Sequence, residues 1–102
     1  MSKFARLAFL AVPLLIAVPS PVVADEDLDE TCVVADPTGT PLNIRDEPNG
    51  DIIGTIRNGR WVWATALRYS RGSAWVFVWK SDKDGNAGDR LGWVYYEHLN
   101  CR

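Results

Sequence analysis

Residues 61–67 read Trp61-Val62-Trp63-Ala64-Thr65-Ala66-Leu67, and residues 75–80 read Trp75-Val76-Phe77-Val78-Trp79-Lys80. The polar connection Arg68 to Ser73 lies between them. Successive side chains of a strand point to opposite faces. The first run therefore puts Trp61, Trp63 and Thr65 on one face and Val62, Ala64 and Ala66 on the other. The second divides as Trp75, Phe77 and Trp79 against Val76, Val78 and Lys80. A period of two with bulky rings on one side and small aliphatics on the other predicts two neighbouring antiparallel strands, and excludes a helix here.

The same signal extends in both directions. Cys32-Val33-Val34-Ala35 is short and β-branched, and Asp36-Pro37-Thr38-Gly39 is a turn. Leu42-Asn43-Ile44-Arg45 alternates, Asp46-Glu47-Pro48-Asn49-Gly50 turns, and Ile52 to Ile56 is closed by Arg57-Asn58-Gly59. Beyond the central pair, 81–90 is dense in Asp, Gly and Asn and reads as a loop. Gly92 to Tyr95 is the last full strand, and Tyr96-Glu97-His98-Leu99 predicts one helical turn. No stretch carries a period of 3.6. The expected fold class is all-β, a small, strongly bent barrel of about five to six short antiparallel strands.

Thr40-Pro41-Leu42-Asn43-Ile44-Arg45, Pro48, Ile53-Gly54-Thr55-Ile56, Gly59, Trp75, Gly92-Trp93-Val94 and Leu99, in that order, resemble the bacterial SH3-like (SH3b) domain over residues 38 to 99. The resemblance implies an SH3-like barrel that serves exported or cell-envelope proteins as a binding module for wall peptides or a protein partner, without catalysis. It implies a groove beside the proline-containing loop, here Asp46 to Asp51. In the family's register Val62, Ala64, Val76 and Val78 point into the barrel. Trp61, Trp63, Trp75, Phe77 and Trp79 would then form a contiguous outward apolar patch. The competing reading makes these rings the core, because a small domain needs every large apolar side chain it can bury.

The ends of the chain bear on location. Lys3 and Arg6 precede an apolar stretch from Leu7 to Val18, then Pro19-Ser20-Pro21 and the small residues Val22-Val23-Ala24. This is the pattern of a signal peptide (1–24) cleaved after Ala24, too short for a stable membrane span of about 20 residues. An exported protein, periplasmic or secreted, is expected. Asp25-Glu26-Asp27-Leu28-Asp29-Glu30 has one apolar residue in six. With Thr31 it is read as a solvated, flexible acidic arm (25–31) ahead of the domain at 32–102. Cys32 and Cys101 are expected to form a disulfide, which brings the first and last strands side by side.

Removing Lys3 and Arg6 from the 11 basic side chains leaves 9 against 13 acidic ones, so nothing draws the domain to nucleic acid or to an anionic membrane surface. One histidine, His98, does not make a zinc site, and a bridged Cys32 and Cys101 leave no thiolate nucleophile. Asp82 to Asp89 alternates oxygen ligands with glycine, yet fails the calcium-loop template at two or more places and is read as an ordinary hairpin loop. No cofactor and no metal are expected, and the protein is not read as an enzyme. The candidate ligand-binding residues are Trp75, Trp93, Tyr96 and Arg45, with Trp61, Trp63 and Trp79. They would dock a cell-wall peptide or an envelope protein. The alternative is a subunit or inhibitor whose tryptophan-rich face is an obligate interface, a homodimer included.

Overall fold

A computed structural model describes residues 25–101. The signal peptide expected over 1–24 lies outside the described residues. Seven strands form one antiparallel sheet: β1 (Glu26–Val34), β2 (Leu42–Arg45), β3 (Ile52–Ile56), β4 (Trp61–Ser70), β5 (Ser73–Ser81), β6 (Ala87–Tyr95) and β7 (Leu99–Cys101). A 3-10 turn, Tyr96–His98, links β6 to β7. The strand order is β3-β2-β6-β5-β4-β1-β7, and the sheet curls into a half-barrel. The all-β expectation holds, with seven strands in place of five to six.

The strands are longer than expected because two hairpins are tighter than the composition suggests. Arg71 (φ 53°) and Gly72 (φ 80°) make a two-residue turn with both φ positive, so β4 and β5 stay paired out to Ser70 and Ser73. In the next hairpin Asp82 closes the loop. Its Oδ1 accepts from the backbone N–H of Asp84 and of Asn86, both at 2.9 Å, and its Oδ2 accepts from Asn86 Nδ2. The loop therefore shrinks and β6 begins at Ala87. Bonding to Asn86 holds the Asp82 carboxyl below its ordinary pKa.

The largest departure concerns the acidic segment expected to be a flexible arm over 25–31. Residues 26–31 are the front half of β1, paired to β4 with Glu26 opposite Leu67 and Thr31 opposite Trp63. Composition hides the reason. Leu28, Cys32 and Val34 alternate on the inner face, where Leu28 packs against the core. The acids find partners: Asp25 binds Arg68, Asp29 accepts from Trp63, and Glu30 accepts from Tyr96. A carboxylate with a donor opposite it is compatible with a strand.

The inner face carries the aliphatic core: Cys32, Val34, Leu42, Ile44, Val62, Ala64, Leu67, Val76, Val78 and Val94. Val62, Ala64, Val76 and Val78 all point inward, as the register requires. Ala66 does not. A bulge between Ala64 and Ala66 inserts Thr65, which turns Ala66 to the outer face and Leu67 to the inner one. Cys32 lies opposite Cys101 in the β1–β7 ladder, and the two form a disulfide. Closing a loop of 69 residues contributes about 4 kcal/mol in the chain-entropy account.

Gly92 lets β2 approach β6 closely. Its φ is 152°, and a Cβ there would lie 2.7 Å from the Arg45 carbonyl oxygen and 2.8 Å from Ile44 Cγ2. Strand β2 therefore crosses β6 at backbone contact, joined through Arg45 opposite Trp93. This crossing carries Arg45 to the outer face.

Candidate functional site

The outer face of β4, β5 and β6 holds a second cluster, separate from the aliphatic core. Trp75, Phe77 and Trp93 are its centre, with Ala66, Trp79 and Tyr95 packed against them. The rings run in a row. Trp63 and Trp79 are 6.2 Å apart between centroids, Trp79 meets Phe77 edge-on at 6.0 Å, and Phe77 meets Trp93 edge-on at 5.6 Å. Trp75 lies against Tyr95 at 4.1 Å. Such tilted and edge-to-face pairs are the arrangements ring quadrupoles favour.

Outward parity does not leave these rings bare. Trp75 is 1% exposed, Trp93 7% and Phe77 9%, which corrects the expected open patch at its centre. Arginines cover part of the row: Arg68 sits 4.6 Å above the Trp93 ring, Arg90 4.4 Å above Phe77, and Arg45 5.9 Å from Trp75. A guanidinium plane stacks on a ring and keeps its edge hydrated, so it covers apolar surface without losing its charge. The rings thus form neither the barrel core nor an open apolar patch, but an aromatic layer partly roofed by cations.

Each cation is held differently. Arg45 Nη1 donates to the Gly50 carbonyl at 2.8 Å, which ties it to the proline-containing loop. Arg68 makes a two-pronged pair with Asp25, at 2.7 and 3.2 Å, and that bonding raises its pKa. Arg90 has no ion pair among the described residues. At the β4 end of the row Trp63 and Trp79 are half-buried, their indole N–H groups given to Asp29 and to Thr65. Trp75 Nε1–H is buried and has no acceptor among the described residues. An unsatisfied buried donor costs about 1–3 kcal/mol.

The seven residues expected to bind ligand do not converge on one place. Trp75, Trp93 and Arg45 come together, and Trp63 and Trp79 continue the same row. Tyr96 packs instead against the aliphatic core, and its hydroxyl donates to Glu30 Oε1 at 2.6 Å. That bond, with burial and the Glu30 charge, pushes its pKa up to about 12. Trp61 lines a separate cleft with Thr55, Ile56, Arg57, Arg60, Lys80 and Ser81. In the sequence Arg68 and Arg90 stand out only as two of six scattered arginines able to act on a carboxylate, with no link to the rings; which ring an arginine covers depends on strand order and bulges.

Glu30, Cys32 and Cys101 are the one group of three close potential metal ligands among the described residues, and both sulfurs are committed to the disulfide. His98 packs edge-on against Tyr95 at 5.6 Å, with Nδ1 3.8 Å from an Asp36 oxygen. No described helix is long and apolar enough to cross a membrane. No family model, curated protein or solved structure matches the chain.

Proposed function

We propose that this chain is an exported, non-enzymatic binding module of the SH3-like type that holds a cell-envelope ligand, a wall peptide or a protein partner, on its aromatic–arginine face. The observation that carries the reading is the position of that layer. The aliphatic core on the inner face is filled without it, so the rings and cations of the outer face are a second apolar investment beyond the barrel's own packing. Half-buried Trp63 and Trp79 offer rigid contact area, and Arg90 offers a fork of donors for a carboxylate. The Trp75 indole N–H, buried without an acceptor among the described residues, is a further donor for a peptide carbonyl or carboxylate.

An obligate subunit or inhibitor interface has less support. The three central rings are already withdrawn from solvent within the single chain, so they need no partner to cover them.

Cosedimentation with purified peptidoglycan, alongside binding of soluble wall peptides, tests the proposal. Trp79→Ala and Arg90→Gln are the informative variants, since both alter the accessible side of the layer and leave the aliphatic core untouched. Each is expected to weaken binding about tenfold or more, in line with the loss of an aromatic or arginine anchor. Wall binding that persists at full strength in the double variant moves the site off this face.

A further inference from the structure

The cleft that contains Trp61 has a chemistry of its own. Its volume is about 290 Å³, and it is lined by Thr55 and Ile56 of β3, Arg57 and Arg60 of the β3–β4 turn, Trp61 of β4, and Lys80 and Ser81 of β5. Three basic side chains and no acidic one line it, in a domain whose described residues carry more acids than bases. None of the three cations is in an ion pair among the described residues. In a chain with 13 carboxylates in reach of its surface, three cations gathered without one carboxylate form a localised positive site.

The turn that presents two of those cations is fixed from behind. The Gly59 N–H donates to the Val34 carbonyl at 2.8 Å, and the Val34 N–H donates to the Arg60 carbonyl at 2.9 Å. The Asn58 side chain bonds the backbone of Asp36 twice, accepting at 2.8 Å and donating at 3.0 Å. Asp36 is set in turn by Thr38, whose hydroxyl and backbone N–H both donate to its carboxylate. The backbone carrying Arg57 and Arg60 is therefore anchored to β1 before any ligand arrives, which lowers the ordering cost of binding.

We propose that this cleft is a binding site for a compact polyanion, a small molecule bearing two or more phosphate, sulfate or carboxylate groups. Arg57 and Arg60 grip one oxyanion with their planar forks, Lys80 neutralises another, and the Thr55 and Ser81 hydroxyls donate to remaining oxygens. Ile56 and Trp61 supply the apolar wall against the ligand's framework. This site is separate from the aromatic–arginine face and does not depend on the function assigned to it.

Titration calorimetry on the purified chain with pyrophosphate, citrate and a sulfated disaccharide tests the site and separates the three oxyanion chemistries. At least one probe is expected to bind saturably, one per chain, and to lose about tenfold or more in affinity as salt rises from low to physiological strength. Arg57→Gln/Arg60→Gln/Lys80→Gln is expected to lower that affinity about a hundredfold, while Arg71→Gln in the β4–β5 turn leaves it unchanged. Lys80→Gln alone, at an exposed position, is expected to cost severalfold and keeps the test open should the triple variant not fold. Absence of saturable binding by all three probes, an unaltered affinity in both cleft variants, or an equal loss in Arg71→Gln each overturns the proposal.

Discussion

The two faces of this sheet are built by the same strands and obey different rules. The inner face uses Val, Ala, Leu and Ile with a disulfide at the β1–β7 edge, and its central positions are fully withdrawn from water. The outer face uses Trp, Phe and Tyr, and covers part of that surface with guanidinium groups. An aliphatic face gains stability by excluding everything polar. An aromatic face can be buried and still carry charge, because ring quadrupoles accept cations. The difference teaches that burial alone does not identify a core: Trp75 is as hidden as Val76, yet the two belong to opposite layers with different neighbours.

The largest effect belongs to the inner face. Cys32→Ser/Cys101→Ser is expected to lower stability by about 4 kcal/mol, measured by urea unfolding of the oxidised protein beside the variant. A loss below about 1 kcal/mol means that the β1–β7 ladder closes that edge without the bridge.

Adjacent residues on opposite faces give a sharper contrast. Val62→Ala removes two buried methyl groups and is expected to cost about 2 kcal/mol. Trp63→Ala removes many more atoms, but from a half-buried ring bonded to an exposed Asp29, and is expected to cost about 1 kcal/mol. If Trp63→Ala proves the more damaging in the same unfolding assay, the outer layer is structural and the distinction between the faces fails.

The smallest effect is a pH dependence. The Glu30 bond raises the Tyr96 pKa from 10.0 in the free side chain to about 12 in the folded protein. A raised folded value means that the native state holds the proton more tightly. The stabilisation is therefore complete below pH 10 and is lost as pH climbs through about 12. Thermal melts across that window should fall more steeply for the parent chain than for Tyr96→Phe. Parallel slopes would show that the hydroxyl bond makes no net contribution. At the acid end, Asp36 and Asp82 have lowered values from bonds to Thr38 and to Asn86 respectively, so their contribution is lost as pH falls below the ordinary carboxylate range.

Local patterns in the chain were enough for several elements. Alternation marked Leu42–Arg45 and flanking turns marked Ile52–Ile56, at the bounds they adopt, and the Tyr96 turn was legible as a single helical turn. Period two separated the rings from the aliphatics in β5 and in β4 up to Thr65. The bulge at Thr65 was not legible, because a strand that carries one extra residue looks the same as one that does not until its partner is known. The front of β1 was misleading for a related reason. Acids depress strand propensity on their own, and Arg68, Trp63 and Tyr96, which receive them, lie 34 to 66 residues away.

Among the candidate site residues, period two gathered Trp63, Trp75 and Trp79 on one face, but left Trp61 and Tyr96 among them and did not show which ring Arg45 meets. Local sequence alone specifies an antiparallel all-β domain with an aromatic and an aliphatic side, since period two and β-branched composition act through near neighbours. Which rings are covered, which cations cover them, and the separation of Trp61 and Tyr96 from the row emerge only in the folded chain. Those outcomes depend on strand order, bulges and the crossing of β2 over β6 at Gly92, contacts between distant residues that no local pattern encodes.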